Sequence, residues 1–129
     1  MDALIAPTFV DHNPVAGQPS GPEGFKYWAR SARGAFPDLS GTVEDVLVDG
    51  DKVAGRVTWR GTHRGNFVGV PGTGSTVEFS AFHIVRFARG RAMEWWGTAD
   101  LLGALAQTGA RVLPNPDARP TGSDTGRSE

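Results

Sequence analysis

The stretch that decides the fold is RGTHRGNFVGVPGTGSTVEFSAFHIVRFARGRAMEWWGTADLLGALAQTG, residues 60–109. Within it, residues 76–88 are rich in β-branched and aromatic side chains and predict one long strand. Arg89-Gly90 is a turn that sends the chain back along a second strand, residues 91–96. Upstream, Gly65, Gly69, Pro71, Gly72 and Gly74 mark residues 65–75 as a loop. Downstream, residues 100–107 predict a short helix with Leu101, Leu102 and Leu105 on its apolar side. Gly109 is placed to end it.

Outward from this stretch, residues 52–62 predict a strand that pairs, through an Asp49-Gly50 turn, with residues 42–48. Gly55 and Gly61 inside that strand suggest bulges or bends that would curve the sheet. A helix is expected over residues 22–35. Ser20 and Glu23 have capping-box spacing, Pro22 falls in the first turn, and Pro37 stops the helix. Phe25, Trp28, Ala29, Ala32 and Phe36 fall on one of its faces. Residues 1–10 give only a fragment of apolar pattern ending at Pro7, and residues 11–21 are turn-rich. The order is helix, antiparallel hairpins, short helix, which is an α+β arrangement. One domain over residues 1–113 is expected. The polar, Pro- and Gly-rich composition of residues 114–129 predicts a disordered tail.

Bulk composition removes several function classes. The 129 residues carry a net charge of −1 and a pI of about 6.3, so no global field draws in nucleic acid or anionic lipid. The absence of cysteine excludes disulfides, thiolate nucleophiles and cysteine-held metals. No run reaches the ~20 apolar residues needed to span a bilayer. The N-terminus lacks the basic and apolar regions of a signal peptide, so a cytoplasmic location is expected.

Several residues have the chemistry for a site. Alternation puts Ala81, His83, Val85 and Phe87 on one face of the long strand, and Phe82, Ile84 and Arg86 on the other. Both faces are largely apolar, so both should be covered. His83 reads either as a satisfied core group or as an acid/base. Trp95 and Trp96 point to opposite faces, as core packing or as an aromatic wall for a flat ligand. Asp100 fits an N-cap and Asp38 a turn. The run Asp11-His12-Asn13-Pro14 reads as a turn or as a polar cluster at a pocket mouth. His12, His63 and His83 have no metal-ligand spacing. The glycines of residues 69–74 match no phosphate-binding loop, and no serine sits in a nucleophile elbow.

The pieces Phe9-Val10-Asp11-His12-Asn13-Pro14, Gly21-Pro22-Glu23-Gly24-Phe25, Phe36-Pro37-Asp38-Leu39, Gly61-Thr62-His63-Arg64-Gly65, Phe67-Val68-Gly69-Val70-Pro71, Gly90-Arg91-Ala92-Met93-Glu94-Trp95-Trp96 and Asp100-Leu101-Leu102-Gly103 occur in an order that resembles the SnoaL-like polyketide cyclases of the NTF2-like superfamily. The resemblance covers residues 3–109. It implies a cone-shaped α+β barrel, a curved antiparallel sheet with helices enclosing a pocket, and a homodimer paired through the sheet. It also implies secondary metabolism, such as antibiotic biosynthesis, and acid/base chemistry on a hydrophobic polyketide-type substrate without metal or cofactor. The reaction would be an intramolecular aldol cyclisation or a related isomerisation or dehydration. A non-catalytic small-molecule binder and a cofactor-independent hydroxylase are the alternatives.

Carried over by position, Asn13 and His83 correspond to pocket residues and become the catalytic candidates. Trp28, Phe36, His63, Phe67 and Trp95 are the substrate-binding candidates. The family's catalytic Asp should follow Trp96, where this chain has Gly97, and Ala81 replaces a polar pocket residue. If the pocket accepts a cyclase substrate, returning a carboxylate at position 97 should then raise aldol activity. Relatives usually carry a long first helix ahead of the segment matching residues 1–7, so either a shortened start or a cavity lid supplied otherwise is expected.

Overall fold

The long β4 strand, Thr76–Ala88, is the centre of the fold, with antiparallel partners on both edges. The computed structural model describes residues 4–111 and 113–117. Along the chain run β1 (Ile5–Asp11), α1 (Pro22–Ala35), β2 (Ser40–Asp49), β3 (Lys52–Thr62), β4, β5 (Arg91–Ala99) and α2 (Leu101–Gln107). One sheet of five strands results, in the order β1-β5-β4-β3-β2. The fold is α+β, as expected.

The two hairpins close on residues that tolerate positive φ. Arg89 and Gly90 lie at φ 53° and 74°, and Gly50 at 61°. Such turns match the twist of the strands they join. The first turn is Gly50-Asp51 rather than Asp49-Gly50, because Asp49 still pairs with Lys52.

Besides the irregular register of β1 against β5 between Ile5 and Val10, two bulges interrupt the ladders, between Val43 and Asp45 on β2 and opposite Arg86 and Phe87 on β5. Each adds a residue to one strand and bends it. The expected bulges at Gly55 and Gly61 are not there, since both residues sit in regular register on β3. Their missing side chains serve neighbouring rings instead. A Cβ at Gly61 would lie 2.8 Å from Phe36 Cβ, and one at Gly55 would lie 2.7 Å from His83 Nε2.

Strand β1 was not foreseen. It runs parallel to β5 at the sheet edge, with Phe9 buried. Pro7 hid it, since proline interrupts a ladder, but an edge strand tolerates one. β5 also continues to Ala99, three residues past its expected end.

Both helices cap the sheet face that carries His83. Gly21 is the N-cap of α1, with no side-chain bond, so the capping box expected from Ser20 and Glu23 does not form. Pro22 holds the first helical position, where a missing N–H costs little. At α2, Asp100 does cap the helix, accepting from Gly103 N at 2.8 Å. The inward residue of α2 is Ala104, fully buried, whereas Leu101 and Leu102 are exposed. A seven-residue helix lying this close to β4 has room only for a methyl at its contact point.

Two apolar clusters hold the fold. Ala35, Phe36, Val77 and Ala104 form one, with Leu39, Phe67 and Phe79 against it. Phe9, Val85 and Ala92 form the other, with Ile5, Phe25 and Trp95. Burying a side chain such as Phe36 stabilises by roughly 1.5–3 kcal/mol. Residues 118–129, most of the expected tail, lie outside the described residues.

Candidate functional site

Register places three positions side by side in the middle of the sheet. His83 on β4 pairs with Gly55 on β3 and with Gly97 on β5. Both neighbours are glycine, so the imidazole lies between two positions without side chains. The Trp95 indole stacks on it, with centroids 4.6 Å apart and planes 18° from parallel. Trp95 shares the His83 face because it pairs with Val85, one alternation along.

The electrostatics of His83 follow from this packing. The ring is half-buried against aromatic and backbone surface, and burial lowers its pKa below the ordinary 6.5. The neutral imidazole therefore dominates at neutral pH. Among the described residues, nothing hydrogen-bonds its ring nitrogens. The ring is thus biased to the neutral form.

Asn13 meets the same place from the sheet edge. Its Oδ1 accepts from Gly97 N at 3.0 Å. That bond fixes the amide and leaves Nδ2 as a free pair of donors. Asp11 orders the turn beneath it, accepting from Asn13 N at 2.9 Å and from Gln18 Nε2 at 2.8 Å. The Asp11-to-Pro14 run is thus a turn that holds the Asn13 amide against β5.

Aromatic rings fill the space between α1 and the sheet. Phe25 meets Trp95 edge-on at 6.3 Å, and Trp28 meets Trp59 edge-on at 6.0 Å. Trp59 was missed in the sequence. Its signal was Gly41, the residue opposite it, over which the indole folds.

Phe36, His63 and Phe67 do not join this group. They pack on one another in the first cluster, with Phe36–Phe67 centroids 5.0 Å apart and Phe36–His63 5.9 Å. His63 is fully buried, and its nitrogens bond Thr73 Oγ1 at 2.9 Å and the Val70 carbonyl at 3.1 Å. These bonds pin the 65–75 loop to β3. Of the three, Phe36 and His63 are buried and Phe67 is partly buried. Asp38 is structural too: its carboxylate accepts from Thr62 N and Oγ1, and these bonds hold its pKa below the ordinary value.

A concavity of about 640 Å3 opens on the far face of the sheet. Its walls are Leu47, Ala54, Phe82, Ile84, Trp96 and Thr98, with Arg56 and Asp45 at the rim. His83, Gly55, Gly97 and Asn13 also line it, at positions between those walls. On the α1 side Trp28 remains 37% exposed. Among the described residues, the far face carries the ion pairs Arg56–Asp45, Arg60–Glu78 and Arg86–Glu94. There Glu94 is held by Arg86 and His12, and its pKa is lowered by the bond from Arg86 first and from His12 second. His12 itself stacks on Trp96 at 4.6 Å.

Among the described residues no His, Asp and Glu side chains converge in a set able to hold a metal ion. Among the same residues no helix is long and apolar enough to cross a membrane.

Comparison with known proteins agrees with this geometry. A sequence model of the SnoaL-like polyketide cyclases matches residues 1–108. Aklanonic acid methyl ester cyclase DnrD of Streptomyces peucetius is 29% identical over 114 residues, covering 88% of this chain and 76% of its own. Among solved structures, IdmH of Streptomyces antibioticus, a proposed polyketide cyclase, is 38% identical with a TM-score of 0.72 over 84% of each chain. A proposed polyketide cyclase of Bacillus cereus is 32% identical with a TM-score of 0.71; the match covers 81% of this chain and 64% of that one. AclR of Streptomyces galilaeus, a proposed hydroxylase, is 28% identical with a TM-score of 0.72 over 83% of this chain and 79% of its own.

Proposed function

Because the chain belongs to the SnoaL-like polyketide cyclase family, we propose that it is an enzyme of secondary metabolism that closes a ring in a flat, hydrophobic polyketide-type substrate, with His83 as general base. The observation that carries this reading is the His83 ring: half-buried, biased to the neutral form, and without a hydrogen-bond partner among the described residues.

The chemistry is an intramolecular aldol condensation or a related isomerisation or dehydration. A ring nitrogen of neutral His83 takes a proton from a carbon between two carbonyls. The resulting enolate carbon attacks a carbonyl of the same molecule, forming the C–C bond. The imidazolium then returns its proton to the new alkoxide. A positioned base contributes ~10²–10⁴-fold to such a step. Asn13 Nδ2 donates to the oxygen on which charge develops. Trp28, Trp59 and Trp95 offer flat apolar surface to a fused-ring substrate.

The test uses aklanonic acid methyl ester, the compound named for DnrD, with cyclised product followed by chromatography. We expect His83→Ala to lose at least ~10²-fold in rate while keeping the wild-type melting curve. Full turnover by folded His83→Ala would overturn the assignment. The similarity to AclR favours a second reading, hydroxylation without a bound cofactor. Oxygen consumption that accompanies turnover would select it. Binding without turnover would select the third reading, a ligand-binding protein, which the glycine at position 97 favours.

We also propose that the far face of the sheet pairs with a second copy of the chain. Leu47, Phe82 and Ile84 are 72%, 54% and 42% exposed there. Around them lie the ion pairs Arg56–Asp45, Arg60–Glu78 and Arg86–Glu94. An apolar centre with a rim of both signs is self-complementary about a two-fold axis. Sedimentation at micromolar concentration should give a dimer, and Phe82→Arg should give a monomer. Monomeric wild-type protein at that concentration would contradict it.

A further inference from the structure

Gly97 stands where the resemblance puts a carboxylate, and the space above it is not empty. A Cβ built at Gly97 would lie 2.6 Å from Trp95 Nε1 and 3.2 Å from His83 Cβ. The indole N–H therefore occupies the volume that an acidic side chain at position 97 would enter. The ring is held there from two directions, stacked on His83 and met edge-on by Phe25. A buried indole N–H usually has an acceptor. This one is half-buried and has none among the described residues.

Two donors thus flank Gly97 beside one base. Trp95 Nε1 lies over it, and Asn13 Nδ2 approaches from the edge, its Oδ1 committed to Gly97 N. Neither donor can take a proton, so a carboxylate has been exchanged for its electrostatic opposite. Preorganised N–H groups of this kind stabilise an oxygen on which negative charge develops.

We propose that the Trp95 indole N–H is a catalytic hydrogen-bond donor to the enolate oxygen of the substrate, and that Gly97 exists in this chain to let it reach that oxygen. The ligand class is an enol or phenol whose oxygen is charged in the reacting state. The proposal rests on the His83-face site argued above and assigns to it a second reacting group.

The experiment uses 2-naphthol, a flat compound whose oxygen ionises, with the full chain. Ultraviolet difference spectra follow naphthol and naphtholate across pH, bound to wild type and to Trp95→Phe, which keeps a ring over His83 without the N–H. Wild type should favour naphtholate by about tenfold, seen as a lowered apparent pKa of the bound probe, and Trp95→Phe should lose that preference. Equal binding and equal ionisation in both proteins would overturn the donor while leaving the site reading intact. No binding of either form to wild type would overturn the site and the donor together. A second measurement does not depend on the variant folding. In ¹H–¹⁵N spectra of wild type, one of the four indole N–H signals should move downfield with naphtholate and match the signal missing in Trp95→Phe or Trp95→His. Four unmoved indole signals at saturating probe would refute the contact.

Discussion

Replacing Gly97 by Asp looks at first like the restoration of a missing base, and the structure predicts that it fails. The new Cβ would sit 2.6 Å from Trp95 Nε1, where ordinary contact begins near 3.4 Å, so the indole must retreat by about 0.8 Å. His83 Cβ at 3.2 Å and the Phe82 carbonyl at 3.3 Å block adjustment of the new side chain itself. Forcing atoms into a packed site costs typically 1–3 kcal/mol, and the Trp95–His83 stack is worth ~0.5–1.5 kcal/mol. We expect Gly97→Asp to cost about 2 kcal/mol. At about 4 °C per kcal/mol for a chain of this size, the melting temperature falls by about 8 °C. Trp95→Ala removes the obstacle, so in the double variant the Asp should cost about 1–2 kcal/mol less than it does alone. Urea and thermal unfolding of wild type, both single variants and the double variant give the cycle. Gly97→Asp melting with wild type, or strictly additive effects in the cycle, would refute the packing argument. Aldol activity should not rise in Gly97→Asp alone, because the carboxylate arrives by displacing the ring that orients His83.

The other predictions address the loop, the buried histidine and the effect of pH on folding. Val68 sits at φ 50° and is 62% exposed, a conformation costly for a β-branched residue; Val68→Asn should stabilise by about 1 kcal/mol in urea unfolding. His63→Leu should destabilise by ~1–3 kcal/mol, since it leaves the Val70 carbonyl and Thr73 without their partner, yet activity per folded molecule should stay near wild type. The lowered pKa of His83 means that the unfolded chain binds its proton first. This contribution to stability is therefore flat above pH 6.5 and falls as the pH drops below it. His83→Phe should remove that part of the pH dependence, measured by unfolding between pH 7 and 5.

The strands β3 and β4 and the helix α1 were legible to the residue, because each combines a clear period with a turn or proline at its ends. Strand β1 was not, because its seven residues contain a proline and its partner, β5, lies more than eighty residues away. The site was legible in the same uneven way. His83, Asn13 and Gly97 come together because strand register carries position directly into space. The packing of Phe36, His63 and Phe67 on one another was not legible. Their residue types suit a ligand wall equally well, and only tertiary packing shows them meeting one another. The glycines were the least readable signal. Gly55 and Gly61 read as bulges or bends, Gly97 as a loss, and Gly41 went unread; each makes room for a ring: His83, Phe36, Trp95 and Trp59. A missing Cβ names no partner until the neighbouring strand is known.

The claim that His83 moves the proton is tested most directly by the pH dependence of kcat/KM for cyclisation. A base must be neutral to act, so the rate should hold at neutral pH and fall only below pH 6.5, with an inflection at the depressed pKa that burial gives this imidazole. That inflection should vanish from the residual rate of His83→Ala. An inflection at or above 6.5 in wild type, or an unchanged profile in the folded variant, would contradict the account.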